Sequence, residues 1–152
     1  MVKLLLSSMI CATLLLGDNM KQTSIQQCLT GFDKYQIVVD GTVHNNIHVD
    51  QLVGTIRDLV YESHSMPAFG VSIDEQTKNA MQTGVWLILI YNDKQEVDGM
   101  IFDELIIQVV PEYTGFNIIR GNSGIYSGRC YYIDLVNKDM SYLYNLIVNK
   151  TD

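Results

Sequence analysis

From Val49 onward, apolar positions recur at intervals of three and four: Val49, Leu52, Val53, Ile56, Leu59 and Val60. That spacing lines one side of a helix over three turns and predicts an amphipathic helix. Asp50 falls near its positively polarised start, and Pro67 bars any continuation. Upstream, Lys34 to Asp40 is rich in β-branched residues and closes on Asp40-Gly41, the pattern of a strand. Ser72-Ile73-Asp74-Glu75 has the form of a capping box and predicts a short helix ending near Met81, before Gly84. Val85 to Tyr91 is almost wholly apolar, as a central strand covered on both faces would be. Leu105 to Val110, Phe116 to Arg120 and Arg129 to Leu135 read as three further strands. The connections Glu112-Tyr113-Thr114-Gly115 and Gly121-Asn122-Ser123-Gly124 are short, so residues 85–135 are expected to form a four-strand antiparallel meander. Met140, Leu143, Tyr144, Ile147 and Val148 mark a closing helix capped by Asn137 or Asp139.

The order is strand, helix, helix, four strands, helix. It predicts an α+β domain: an antiparallel sheet of about five strands with helices on one face, in two layers. At least one edge strand is left to pair with another copy or with a ligand strand. The domain is expected over residues 31–152, behind a leader-like or helical segment at 1–30. Residues 18–31 are polar, end at Gly31, and read as a linker or the second half of an N-terminal helix.

The first residues bear on the compartment. Lys3 is followed by 14 residues without charge, Leu4 to Gly17. That run is too short to span a bilayer. A positive start and a short apolar run resemble a secretory leader. Leu14-Leu15-Leu16-Gly17 also resembles the approach to a lipoprotein cleavage site, but Asp18 stands where the lipid-bearing cysteine belongs. Against export, Leu5, Met9, Ala12, Leu16 and Met20 would equally line one side of a buried helix. Secreted, envelope and cytoplasmic locations all stay open. Loss of the leader would leave Cys28 and Cys130 as an even pair able to form a disulfide. The intact chain has 3 cysteines, an odd count typical of reduced thiols.

Composition narrows the function. With 152 residues the chain holds one domain, and its 47% hydrophobic content argues against disorder. Asp and Glu number 17 against 10 Lys and Arg, for a net charge of −7. With no basic run, nucleic acid is not expected as a partner. A basic protein partner fits that charge.

Motifs for chemistry are sparse. His44, His48 and Asp50 are the densest metal-capable set, but they precede the predicted helix, so their spacing promises no ligand geometry. His64 lies about three turns away, at the helix's far end. Asp93, Glu96, Asp98, Asp103, Glu104 and Glu112 bunch together, offset by Lys94. They lack the glycine-bearing calcium-loop pattern and read as a solvated turn or a docking face for a basic partner. Gly121 to Arg129 lacks the lysine of a phosphate-cradling loop and is followed by a strand, so it reads as a hairpin connection. Arg120, Tyr126 and Arg129 beside it would hold a carboxylate or phosphate. Gly-x-Ser-x-Gly is absent, and no histidine stands near Cys130. Tyr126, Tyr131, Tyr132, Tyr142 and Tyr144 crowd the last thirty residues, and tyrosine suits recognition surfaces. Tyr131 and Tyr132 must face opposite ways on a strand.

The expected function is a small, acidic, non-catalytic binding domain for a protein partner, without cofactor or metal. Its candidate binding residues are Asp98, Asp103, Glu104, Arg120, Tyr126, Arg129 and Tyr131. The alternatives are a small hydrolase with its site between helix and sheet, and a homodimer joined along an edge strand.

Overall fold

The computed structural model describes residues 21–22, 24–45, 48, 51–60, 64–135 and 137–151. The leader-like run of residues 4–17 and Cys11 lie outside them, as does Asp50. The elements in chain order are β1 Lys21–Gln22, α1 Ile25–Thr30, β2 Lys34–Val39, β3 Thr42–His44, α2 Leu52–Val60 and β4 His64–Ser72. They continue with α3 Asp74–Ala80, β5 Val85–Val97, β6 Met100–Val109, β7 Gly115–Gly121, β8 Gly128–Asp134 and α4 Ser141–Val148.

The chain is α+β, built on one sheet with the path β3-β2-β5-β6-β7-β8-β4, antiparallel at every step. The predicted meander is β5 to β8. Five strands was an undercount, because β3, β4 and the two-residue β1 were missed. β4 reads poorly as a strand: His64-Ser65-Met66-Pro67-Ala68-Phe69-Gly70 has no β-branched run and contains a proline. An edge tolerates proline because one row of backbone donors pairs with nothing there. β4 is such an edge, bonded only to β8, and its register shifts between Pro67 and Val71. Among the described residues this path therefore ends at β3 and β4, the two-residue β1 pairs in parallel with β5 off the path, and none of the four meander strands is an edge.

Three hairpins close through two-residue turns in which both residues have positive φ: Asp40-Gly41, Asp98-Gly99 and Ser123-Gly124. Turns of this kind match the right-handed twist of the strands they join. The loop from Gly121 to Arg129 is thus a hairpin connection.

Alternation along the strands sorts side chains onto two faces. Ile37, Leu87, Leu89, Leu105, Ile107, Ile118 and Ile133 form the main core with α1, α2 and α4. α1, ahead of the predicted domain boundary, contributes Ile25, Cys28 and Leu29 to it. Its start carries a true capping box: Ser24 Oγ accepts from Gln27 N, and Gln27 Oε1 accepts from Ser24 N. Its end is tied down by Tyr91, whose hydroxyl donates to Cys28 O at 2.5 Å.

The second face departs from the two-layer expectation. Val38, Met81, Trp86, Ile88 and Ile106 make a smaller cluster there, and Met81 follows directly on α3. Of the four helices among the described residues, one thus lies on the far side of the sheet from the other three. The capping box expected at Ser72 does not form either. Ser72 belongs to β4 and its hydroxyl donates to Gly128 O, while the residue before α3 is Ile73, which offers no side-chain acceptor. The edge pairing of β4 with β8 took the serine that local sequence assigned to a cap. At α4, Asp139 accepts from both the backbone N and the hydroxyl of Ser141, which lowers its carboxyl pKa.

Candidate functional site

Among the described residues α3 covers only part of the far face, and an open groove of about 880 Å³ lies beside it. Trp86 of β5, Ile119 and Asn117 of β7, and Cys130 and Tyr132 of β8 form its floor. Gln76, Thr77 and Ala80 of α3 make one wall, and the 112–114 loop another. Each floor residue points this way because its strand neighbours, such as Leu87, Ile118 and Tyr131, point into the main core. Val71, Ile73 and Tyr113 stand on the rim, 71%, 54% and 44% exposed. These large apolar side chains are gathered at one mouth rather than scattered singly over the surface. The Trp86 indole N–H is already used, donating to Thr83 O at 2.8 Å, which fixes the ring in the floor. The volume is within the range of ligand pockets, and the mix of apolar walls and a few amides is typical of them.

The candidate binding residues fall into two groups on opposite faces, and neither lines this groove. On the main-core side, Arg120 lies opposite Leu105 in the β6–β7 ladder and is 3% exposed. Its guanidinium sits 5.1 Å from the Tyr131 ring centroid, and Nη2 donates to Arg129 O. Tyr131 in turn donates to Asp98 Oδ2 at 2.7 Å, which closes a chain Arg120–Tyr131–Asp98 around the β5–β6 turn. Arg120 Nε and Nη1 have no hydrogen-bond partner. Burial lowers the guanidinium pKa, while the Tyr131, Cys130 and Asp98 groups raise it. The Tyr131 phenol is pushed up to about 12 by burial and by its bond to Asp98. Arg129 joins this group through its backbone carbonyl and through its charge, which works to lower the pKa of both Arg120 and Tyr131.

On the far face, Glu104 and Tyr126 meet over Gly121. A Cβ on Gly121 would stand 2.8 Å from the Tyr126 ring and 3.1 Å from Glu104 Oε2. Burial raises the Glu104 carboxyl; the Tyr126 hydroxyl opposes this and the Asp103 charge adds to it. Glu104 Oε2 lacks a hydrogen-bond partner. Tyr126 is pushed up to about 12, first by burial and then by the Glu104 charge. Asp74 joins α3 to this corner by accepting from Tyr126 N at 2.7 Å, and it pairs with Lys78 at 2.9 Å. Lys78 Nζ lies 5.4 Å from the Tyr126 ring centroid. Asp103 caps the next turn instead, accepting from Ser123 N.

Of the metal-capable trio, His44 ends β3 and His48 lies beyond it beside Asn45 and Asp33. Among the described residues no three His, Cys, Asp or Glu side chains group as a metal site. Cys28 and Cys130 are not joined in a disulfide. Cys28 faces the main core and Cys130 the groove, so the sheet separates them and the disulfide left open by the sequence does not form. No helix among the described residues is long and apolar enough to cross a membrane.

Of the groove's lining, sequence reasoning singled out Glu112 and Tyr132 for recognition but missed Trp86, Asn117, Ile119 and the α3 wall. One signal was present: Val85 to Tyr91 is apolar at positions facing both ways, so the far face needed a cover. The sequence does not reveal that α3 supplies only part of it, because that depends on where β4 delivers the helix. No known protein family, no curated protein and no solved structure matches this chain.

Proposed function

We propose that this protein is a non-catalytic binding domain, a protein–protein interaction module whose binding surface is the groove on the far face of the sheet. One observation carries the reading: three helices cover one face, while the other ends in an apolar trough with Val71, Ile73 and Tyr113 exposed on its rim. Burying such a surface in a complex is favourable by about 25 cal/mol per Å² of apolar area before the costs of association. The polar clusters act as supports. Arg120–Tyr131–Asp98 fixes the strands beneath, and Asp74–Tyr126 holds the α3 wall.

Trp86 supplies the test, since it is the only tryptophan in the sequence and lies in the groove floor. An apolar naphthalene dye titrated into the protein should quench Trp86 by energy transfer and brighten as it leaves water. Ala80→Phe places a ring in the groove from the exposed face of α3 and should abolish both signals without lowering the melting temperature. Saturable dye binding that Ala80→Phe leaves intact would place the binding surface elsewhere.

A further inference from the structure

Resting on that reading, we propose that the groove's occupant is an apolar segment of a partner protein with lysine or arginine at one end, its positive end lying beside Glu112. The charge of the lining is the reason. Glu112 is the one charged side chain among the described lining residues, and it is exposed on the 112–114 loop. No lysine or arginine among them offers a counter-charge to a fatty acid, a phosphate or an acidic peptide. The chain beyond the groove has the same sign, at −7 overall. An anion would therefore enter against both the local and the long-range field, and a cation with them.

The polar groups narrow the class further. Asn117 on the floor and Gln76 on the α3 wall are both exposed and line the groove. A carboxamide offers donor and acceptor together, the complement of a peptide group. Two such amides over a floor of Trp86, Ile119 and Tyr132 suit a chain that alternates peptide groups with apolar side chains. A pure hydrocarbon would leave the amides unpaired and pay their desolvation.

The test uses the full chain and three fluorescein-labelled ten-residue peptides of one apolar sequence, ending in two lysines, two glutamines or two glutamates. Fluorescence anisotropy at low and physiological salt gives the three affinities. The lysine peptide should bind tightest, by about threefold to tenfold over the glutamate peptide, and added salt should shrink that margin. Glu112→Lys should reverse the order, and Ala80→Phe should weaken all three. Equal affinities, or an order unchanged in Glu112→Lys, would overturn the proposal. Dye binding without any peptide binding would overturn it too, while leaving the groove as the binding surface. If neither dye nor peptide binds, both readings fall.

Discussion

A Cβ placed on Gly115 would stand 2.2 Å from both Cζ and the hydroxyl oxygen of Tyr132. In the β7–β8 ladder Tyr132 lies opposite Asn117, so its ring leans along the sheet to cover the bare backbone of Gly115. The glycine is needed for close approach, not for its φ. Gly115→Ala should push the ring into the groove and cost about 1–3 kcal/mol, the usual cost of overpacking. A double-mutant cycle separates the contact from the backbone. With Tyr132→Val the obstruction is gone, and the alanine should stabilise by about 0.5–1 kcal/mol, since glycine is poor within a strand. Urea unfolding of the four proteins reads both signs. An equal cost in the two backgrounds would mean that the ring is not the obstacle.

Glu104→Gln tests the buried carboxyl over Gly121. Its pKa is raised in the folded state, so the fold holds that proton more tightly than the unfolded chain does. That contribution is complete at acid pH and is lost as the pH climbs past the ordinary carboxylate range through the raised value. Glutamine keeps the shape and removes the charge. It should stabilise by about 1 kcal/mol at pH 7, because it removes a charge that burial disfavours. The gain should vanish as the pH falls below about 4, where the unfolded carboxyl also protonates. Asp74 runs the opposite way. Its pKa is lowered by the Tyr126 backbone bond and by Lys78, so its contribution is present above the ordinary range and is lost on acidification. Melting curves from pH 3 to 8 distinguish the two, and a pH-independent gain in Glu104→Gln would contradict the assignment.

Much of the sheet was legible because local and tertiary preferences agree there. β2 and β5 to β8 each combine β-branched or aromatic residues with short glycine-bearing turns. β2, β7 and β8 lie close to their predicted spans, while β5 runs on to Val97 and β6 starts at Met100, through the acidic stretch expected as a solvated turn. Legibility failed where long-range pairing overrode local signals. Ser72 looked like a cap and became part of β4 because Gly128 of β8 offered a backbone partner. Ser24, with Gln27 three residues on, carried the real capping box inside a stretch read as a linker or helix end. The site was less visible than the fold. Arg120 and Tyr131 come together as β7 and β8 pair, whereas Arg120 and Glu104, both singled out, end on opposite faces. The groove depends on where one short helix lands, and nothing in Asp74-Glu75-Gln76-Thr77-Lys78 specifies that.

Arg120 is a buried cation with two guanidinium nitrogens unpaired. Its compensation is one backbone carbonyl, the Tyr131 ring and a more distant Asp98. Replacing such a group with an apolar side chain of similar volume is often neutral or stabilising by about 1–4 kcal/mol, because the desolvation cost disappears. Arg120→Met should therefore leave the melting temperature unchanged or raise it. Arg120→Ala removes the same charge but opens a cavity among Leu105, Tyr131 and Ile118, and should cost about 2 kcal/mol or more. A Met variant as unstable as the Ala variant would show that the guanidinium's contact with Tyr131 outweighs its burial.

The two described thiols report on the two faces separately. Cys28 is sealed in the main core at 2% exposure, with Leu29 beside it fully buried. Cys130 is 7% exposed and its surroundings open into the groove. Alkylation of Cys28 requires α1 to detach, which means breaking the Tyr91–Cys28 bond and opening the core. Alkylation of Cys130 needs only a small displacement of the groove floor. Under native conditions iodoacetamide should modify Cys130 at least tenfold faster than Cys28, as resolved by mass spectrometry of the proteolytic peptides. In 8 M urea the two rates should converge. A ligand that fills the groove should slow Cys130 and leave Cys28 unchanged, because only one thiol shares the occupied face. Equal slowing of both would instead mean that the ligand acts by stabilising the whole fold, and the groove would lose its standing as the contact surface.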